Sequence, residues 1–145
     1  KEGVVCMEER EKITRRWFQM WLDQKDSGIL ELFSADAQYI ESWGPEYRGA
    51  HKIKLWFDEW NTRGDVLQWD IKQFFHSGSQ TVVEWQFKNR MYDGTEQNFD
   101  GMSLIGWTTD NKICFLKEFG CNENRYDPYQ NGPAPVFRDE KSMWF

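Results

Sequence analysis

Apolar side chains recur with a helical period twice in the N-terminal half of the chain and then give way to long strand-like stretches. Ile13, Trp17, Met20 and Trp21 fall at i, i+4, i+7 and i+8, one stripe of a helix expected from about Glu8 to Gln24. Glu8 and Glu9 suit the positive end of its dipole. Asp26-Ser27-Gly28 interrupts it, and either Asp26 or Ser27 can cap a short second helix running through Phe33. Ser34 to Ala37 reads as a turn into a strand over Gln38–Ser42. Ile53, Trp56, Phe57 and Trp60 then mark a third helix from about His51 to Asn61, with Gly64 as its stop signal.

Beyond that point the period changes. Four stretches, Val66–His76, Thr81–Tyr92, Thr95–Trp107 and Lys112–Cys121, are rich in β-branched and aromatic residues. They are separated by Ser77–Gln80, by the hairpin signal Asp93-Gly94 and by Thr108–Asn111. Helix, helix, strand, helix and a four-strand meander make an α+β fold. The expected form is a cone-shaped α+β barrel with three N-terminal helices packed on a strongly curved, mostly antiparallel sheet. In the last strand, alternation puts Cys114, Leu116 and Glu118 on the concave side and Ile113, Phe115 and Phe119 on the other. An apolar second face is either covered or paired, so a homodimer through the sheet face is expected.

Residues 123–145 lack periodicity and hold three of the four prolines. Composition alone makes them a flexible tail. Tyr126, Tyr129, Phe137, Trp144 and Phe145 argue that the tail packs on its own domain, on a pocket mouth or on a partner subunit. The division is therefore an arm or tag remnant over 1–7 (Met7 is a plausible start), a domain over 8–122 and the tail over 123–145.

With 145 residues, the chain has enough length for one domain with a real core. Nine Trp and 17% aromatic residues can fill that core with few side chains and still line a pocket. A net charge of −6 without a basic cluster argues against nucleic acid and against an anionic membrane surface as partners. No apolar run is long enough to span a bilayer, and no signal-peptide pattern is visible. Cys6, Cys114 and Cys121 have no metal spacing and cannot all pair, which fits a reducing, cytoplasmic setting. No metal site is expected, nor any cofactor: there is no nucleophilic triad, Gly-rich phosphate loop or dinucleotide fingerprint.

The chemistry concentrates in Tyr39–Ile53. Glu41 closes a strand before a Gly-Pro turn, between the aromatics Tyr39, Trp43 and Trp56. Burial there would raise its pKa toward neutrality and make it a general base; the alternative is a rim carboxylate paired with Arg48 or Lys52. Glu118 shares the parity of Leu116 and lies across a hairpin from Gly101 and Ser103. It is either a second acid facing the same cavity or the partner of a nearby Lys. Two carboxyls in unequal environments can divide into acid and base. Trp17, Trp21, Trp56 and Trp60 have core spacing, with one or two of them on the cavity wall. Phe18, Tyr39, Trp43, Ser103, Ile105 and Leu116 complete the expected lining. His76, at a strand end, is a possible proton donor or a capping residue, and His51 is a solvated helix start. Gly101 in a strand permits a bulge or a close approach of backbone, and sheet curvature is the preferred reading.

The succession Leu32-Phe-Ser-Ala-Asp-Ala, Glu41, Tyr47-Arg-Gly, Val83-Glu-Trp85, Lys112-Ile113 and Lys117-Glu-Phe119 resembles the nuclear transport factor-like superfamily, in its SnoaL-like and ketosteroid isomerase-like branch. The resemblance spans roughly Glu8 to Cys121. It implies that Glu41 occupies the place of the isomerase base. It also sets Phe18 where those isomerases carry an oxyanion-binding Tyr, and Ser103 where they carry a protonated Asp, so steroid isomerisation of that type is not implied. In the epoxide hydrolase branch, Glu118 matches one carboxylate, but Trp85 and Phe87 stand where an Arg and a second Asp belong. The expected function is a pocket for a small, largely apolar molecule, with acid–base chemistry of the isomerase, cyclase or hydrolase type. The alternatives are a non-catalytic ligand binder or a protein-interaction module of the same fold.

Overall fold

The computed structural model describes residues 2–138. Its elements are α1 (Glu2–Asp23), α2 (Ile29–Leu32), β1 (Phe33–Ile40), β2 (Glu46–Arg48), α3 (Ala50–Trp60), β3 (Gly64–Ser77), β4 (Gln80–Met91), β5 (Glu96–Trp107) and β6 (Ile113–Asn122). The strands form one six-stranded sheet in the order β2-β1-β6-β5-β4-β3, antiparallel throughout except where β1 runs parallel to β6. Helices packed on a curved, mostly antiparallel sheet make the α+β cone that the element order predicts.

The helical stripes turn inward as their spacing requires. Trp17, Phe18, Met20 and Trp21 of α1 and Ile53 and Phe57 of α3 are buried. Trp17 meets Phe33 and Tyr39 edge-on, and Phe18 stacks on Trp69 of β3 with ring centroids 4.0 Å apart. Such pairs add roughly 0.5–1.5 kcal/mol each beyond the area they bury. The concave face continues the core in registered rows: Tyr39, Leu116, Ile105 and Thr81 form one row, and Glu118, Ser103 and Val83 the next.

Several expectations are corrected. The first helix begins at Glu2, so the segment ahead of Met7 continues α1. The second helix is a single turn that ends at Leu32; the Asp26 carboxylate accepts from the N–H groups of Gly28 and Ile29 at its start. Ser34 to Ala37 belong to β1 instead of a turn, because Phe33 already pairs with Ile113 and an irregularity before Gln38 absorbs the extra residues. The three-residue β2 has no sequence signature of its own; it exists because it pairs with β1, Tyr47 opposite Tyr39. A register shift between Gly106 and Trp107 sets Trp107 opposite Ile113, which breaks alternation in β6. Ile113 is therefore buried in place of Cys114, which is half-buried.

Curvature has two visible sources. Register shifts in β3, at Val66/Gln68 and Ile71/Gln73, bend that long strand. Gly101 has a different purpose from the curvature assigned to it: its pairing with Trp85 and Gly120 is regular, and a Cβ there would lie 2.3 Å from the Trp85 ring and 2.6 Å from the Phe119 carbonyl oxygen. The missing side chain lets the indole lie against the strand. In the tail, Tyr126, Tyr129 and Phe137 are exposed in the single chain, with Arg138 over the Tyr126 ring. Trp144 and Phe145 lie outside the described residues.

Candidate functional site: two carboxyls on an aromatic cavity

The concave side of the cone holds a half-open cavity of about 550 Å³. Its walls come from α1 (Trp21), α3 (Trp56, Trp60), the β1–β2 loop and the concave faces of β3 to β6. Glu41 and Glu118 both reach it.

Glu41 follows the last residue of β1. Its backbone N–H donates to the Pro45 carbonyl at 2.9 Å and its own carbonyl accepts from Gly44, whose φ of 119° suits glycine. The tight loop fixes the carboxylate, and Tyr47 on β2 donates its hydroxyl hydrogen to Glu41 Oε2 at 2.7 Å. Tyr47 is in turn held by a stack on Trp56, 4.6 Å between centroids and 13° between planes. Burial pushes the Glu41 pKa up, while the bonds from Tyr47 and Trp43 and the charge of Arg63 pull it back. Arg48, one partner considered for Glu41, instead bonds Glu46.

Glu118 stands opposite Ser103 in the β5–β6 register, the neighbour that strand parity predicts. Tyr39, from the parallel neighbour β1, donates to Glu118 Oε1. Burial pushes Glu118 up to about 8; the Tyr39 bond pulls it down and the nearby Glu41 charge pushes it further up. At neutral pH Glu118 is a neutral acid. Tyr39 itself is pushed well above the ordinary phenol range by burial and by Glu118, so it stays a donor.

The structure brings Glu41, Glu118, Trp21, Trp43, Trp56 and Trp60 together on the cavity wall. Trp17, Phe18, Tyr39, Ser103, Ile105 and Leu116 are off it, in the core beneath, where each is at most 2% exposed. Their side chains are consumed by packing, or by support in the case of Tyr39; Ser103 accepts the indole N–H of Trp85 at 2.9 Å. His76 is also away from the cavity. Its Nε2 meets Glu11 Oε1 and its Nδ1 meets Thr81 Oγ1, each at 2.9 Å, so it ties α1 to the sheet. Sequence reasoning missed Tyr47, Trp69, Trp85, Phe87 and Phe99 on the wall, together with Arg63, whose guanidinium grips the Glu59 carboxylate at 2.6 and 3.0 Å. Concave parity in β4 and β5 carries the signal for Trp85, Phe87 and Phe99. Among the described residues, no cluster of His, Cys, Asp and Glu could hold a metal, and no helix is long and apolar enough to cross a membrane.

A family model described as a SnoaL-like domain matches residues 14–115. Among curated proteins no sequence matches the chain. Solved structures agree on the fold. An NTF2-like protein of unknown function from Exiguobacterium sp. 255-15 superposes with a TM-score of 0.65 at 19% identity, over 75% of this chain and 98% of that one. An LEH-like epoxide hydrolase of M. tuberculosis reaches 0.69 at 10% identity, over 79% and 84%. A steroid delta-isomerase from Pseudomonas aeruginosa reaches 0.59 at 16% identity, over 79% and 80%. With a family model covering most of the chain and an NTF2-like cone around its cavity, the protein belongs to the SnoaL-like domain family.

Proposed function

We propose that the cavity binds a small, largely apolar molecule and that Glu41 and Glu118 move protons on it without a cofactor. The observation that carries this reading is the pair of carboxyls on one aromatic wall in unequal surroundings. Glu41 is the general base, held by Tyr47. Glu118, protonated at neutral pH, is the general acid, with Oε2 free of the Tyr39 bond. Chemistry of this kind serves isomerisation, cyclisation or hydrolysis. The relatives of the fold named as a steroid delta-isomerase and an epoxide hydrolase fit that range. The test is hydrogen–deuterium exchange at activated C–H positions in a panel of small cyclic and aromatic ketones incubated in D2O. Exchange above the buffer rate that falls by about 100-fold or more in Glu41→Gln supports the reading. Binding without exchange would leave a non-catalytic binder.

A second reading concerns the convex face. Phe75, Met102 and Phe119 are each about half exposed there, and Met102 and Phe119 are registered neighbours. A second copy of the chain covering this face makes a homodimer. Sedimentation should give a dimer that Phe119→Glu with Met102→Glu dissociates; a monomeric wild type at high concentration would refute it.

A further inference from the structure

We infer that the cavity selects an organic cation, a protonated or quaternary amine carried on an aromatic or alicyclic body. The inference rests on the pocket reading above and names its ligand class. The first observation is charge. Glu41, Glu59 and Asp93 line the cavity beside the neutral acid Glu118, and among the described residues Arg63 is the one cation on its wall. Both oxygens of Glu59 hold that guanidinium, through Nε and Nη2, and the wall keeps an excess of carboxylates over cations.

The second observation is the state of the donors. A ligand carboxylate or phosphate needs a cluster of hydrogens or a cation aimed at it. Tyr47 and Trp43 give theirs to Glu41, and Trp85 gives its own to Ser103. The indole nitrogens of Trp21 and Trp69 are buried with no hydrogen-bond partner, among edge-on neighbouring rings. Acceptors, by contrast, remain: a carboxylate has about four lone pairs, and Glu41 receives bonds from Tyr47 and Trp43.

The third observation is the wall itself. The stacked Tyr47–Trp56 pair stands directly behind Glu41, with Trp43 beside it and Trp60 on the same helix. Aromatic faces attract cations through their quadrupoles and do so most strongly where water is excluded. An anionic carboxylate framed by π faces is a receptor for a positive nitrogen, and it repels an anion. The apolar remainder of the cavity takes the body of the ligand.

The test compares three probes of matched shape on the full-length protein at pH 7, followed by tryptophan fluorescence: benzyltrimethylammonium, its neutral isostere neopentylbenzene, and phenylacetate. The expected result is at least tenfold tighter binding of the cation than of the isostere, no saturable phenylacetate binding, and a preference that shrinks with salt. Glu41→Gln should abolish the preference while leaving binding of the isostere. If the isostere binds as tightly as the cation in the wild type, the cation inference is wrong and the apolar-pocket reading survives. If none of the three binds, the pocket reading fails and the inference falls with it.

Discussion

Tyr39 and Tyr47 face each other across the β1–β2 register, and each donates its phenolic hydrogen to a different carboxyl, Tyr39 to Glu118 and Tyr47 to Glu41. One pair of antiparallel neighbours therefore holds both of these cavity carboxyls. The two tyrosines differ in setting: Tyr39 is sealed in the core, and Tyr47 stands on the cavity wall.

Removing the Tyr39 hydroxyl should act on Glu118 alone. Tyr39→Phe leaves Glu118 Oε1 without its donor, which costs about 1–3 kcal/mol of stability. Since the bond pulls the Glu118 pKa down, its loss moves that pKa further up. Infrared titration of the protonated carboxyl band, identified by its absence in Glu118→Gln, should show the upward shift; an unchanged midpoint would show that the bond does not tune Glu118.

Glu118 should also shape stability against pH. Its folded pKa of about 8 lies above the ordinary value of 4.5, so the folded state holds the proton more tightly than the unfolded chain does. The contribution is fully favourable below pH 4.5 and is lost as pH rises toward 8, a span on the order of 5 kcal/mol by linkage. Denaturant midpoints at pH 5, 7 and 9 should fall for the wild type. Glu118→Gln should flatten this decline. A variant as pH-sensitive as the wild type would assign the effect elsewhere.

Gly101→Ala places a methyl group 2.3 Å from the Trp85 ring, in a strand that pairs on both edges. Neither the indole nor the sheet can yield without disturbing the cavity wall. The expected loss is about 2–3 kcal/mol, read from urea denaturation together with a change in tryptophan emission. A loss under about 0.5 kcal/mol would mean that the ring relocates freely.

Thr81 is buried, and its Oγ1 accepts from Trp107 Nε1 at 2.9 Å while facing His76 Nδ1 at the same distance. Thr81→Val keeps the shape and orphans the indole N–H, for a loss of about 1–3 kcal/mol. Because this cluster is off the cavity, probe binding at pH 7 should not change. Weakened binding would connect His76 to the site after all.

The sheet and helices were legible because each long element repeats its pattern over ten or more residues. The core stripes of α1 and α3 and the hairpin at Asp93-Gly94 needed nothing from the rest of the fold. Glu118 was legible through parity, which held from Leu116 onward. What stayed hidden depended on partners distant in sequence. β2 is three residues long and exists through its pairing with β1. The shift beside Trp107 that exchanged Ile113 for Cys114 leaves no mark in composition. Tyr39 and Ser103 carry polar atoms and sit on the right face. Only the packing of α1 over them decided that they support the cavity from beneath. Arg63, just past α3, reads as an ordinary surface cation until its grip on Glu59 is seen.

The one parallel join of the sheet also sets when the cavity can close during synthesis. Glu41, Tyr47 and the helices that wall the cavity emerge from the ribosome first, but β1 has only the short β2 as a strand neighbour until β6 has been made. Tyr39 and Glu118 are 79 residues apart, so the acid is seated only when the ends of the domain meet. Pairings of such long range are paid for late in folding. A nascent chain that stalls before β6 holds Glu41 without Glu118, and the aromatic wall without its closing strand. In this fold, completion of the site doubles as a report that the whole domain has been translated and closed.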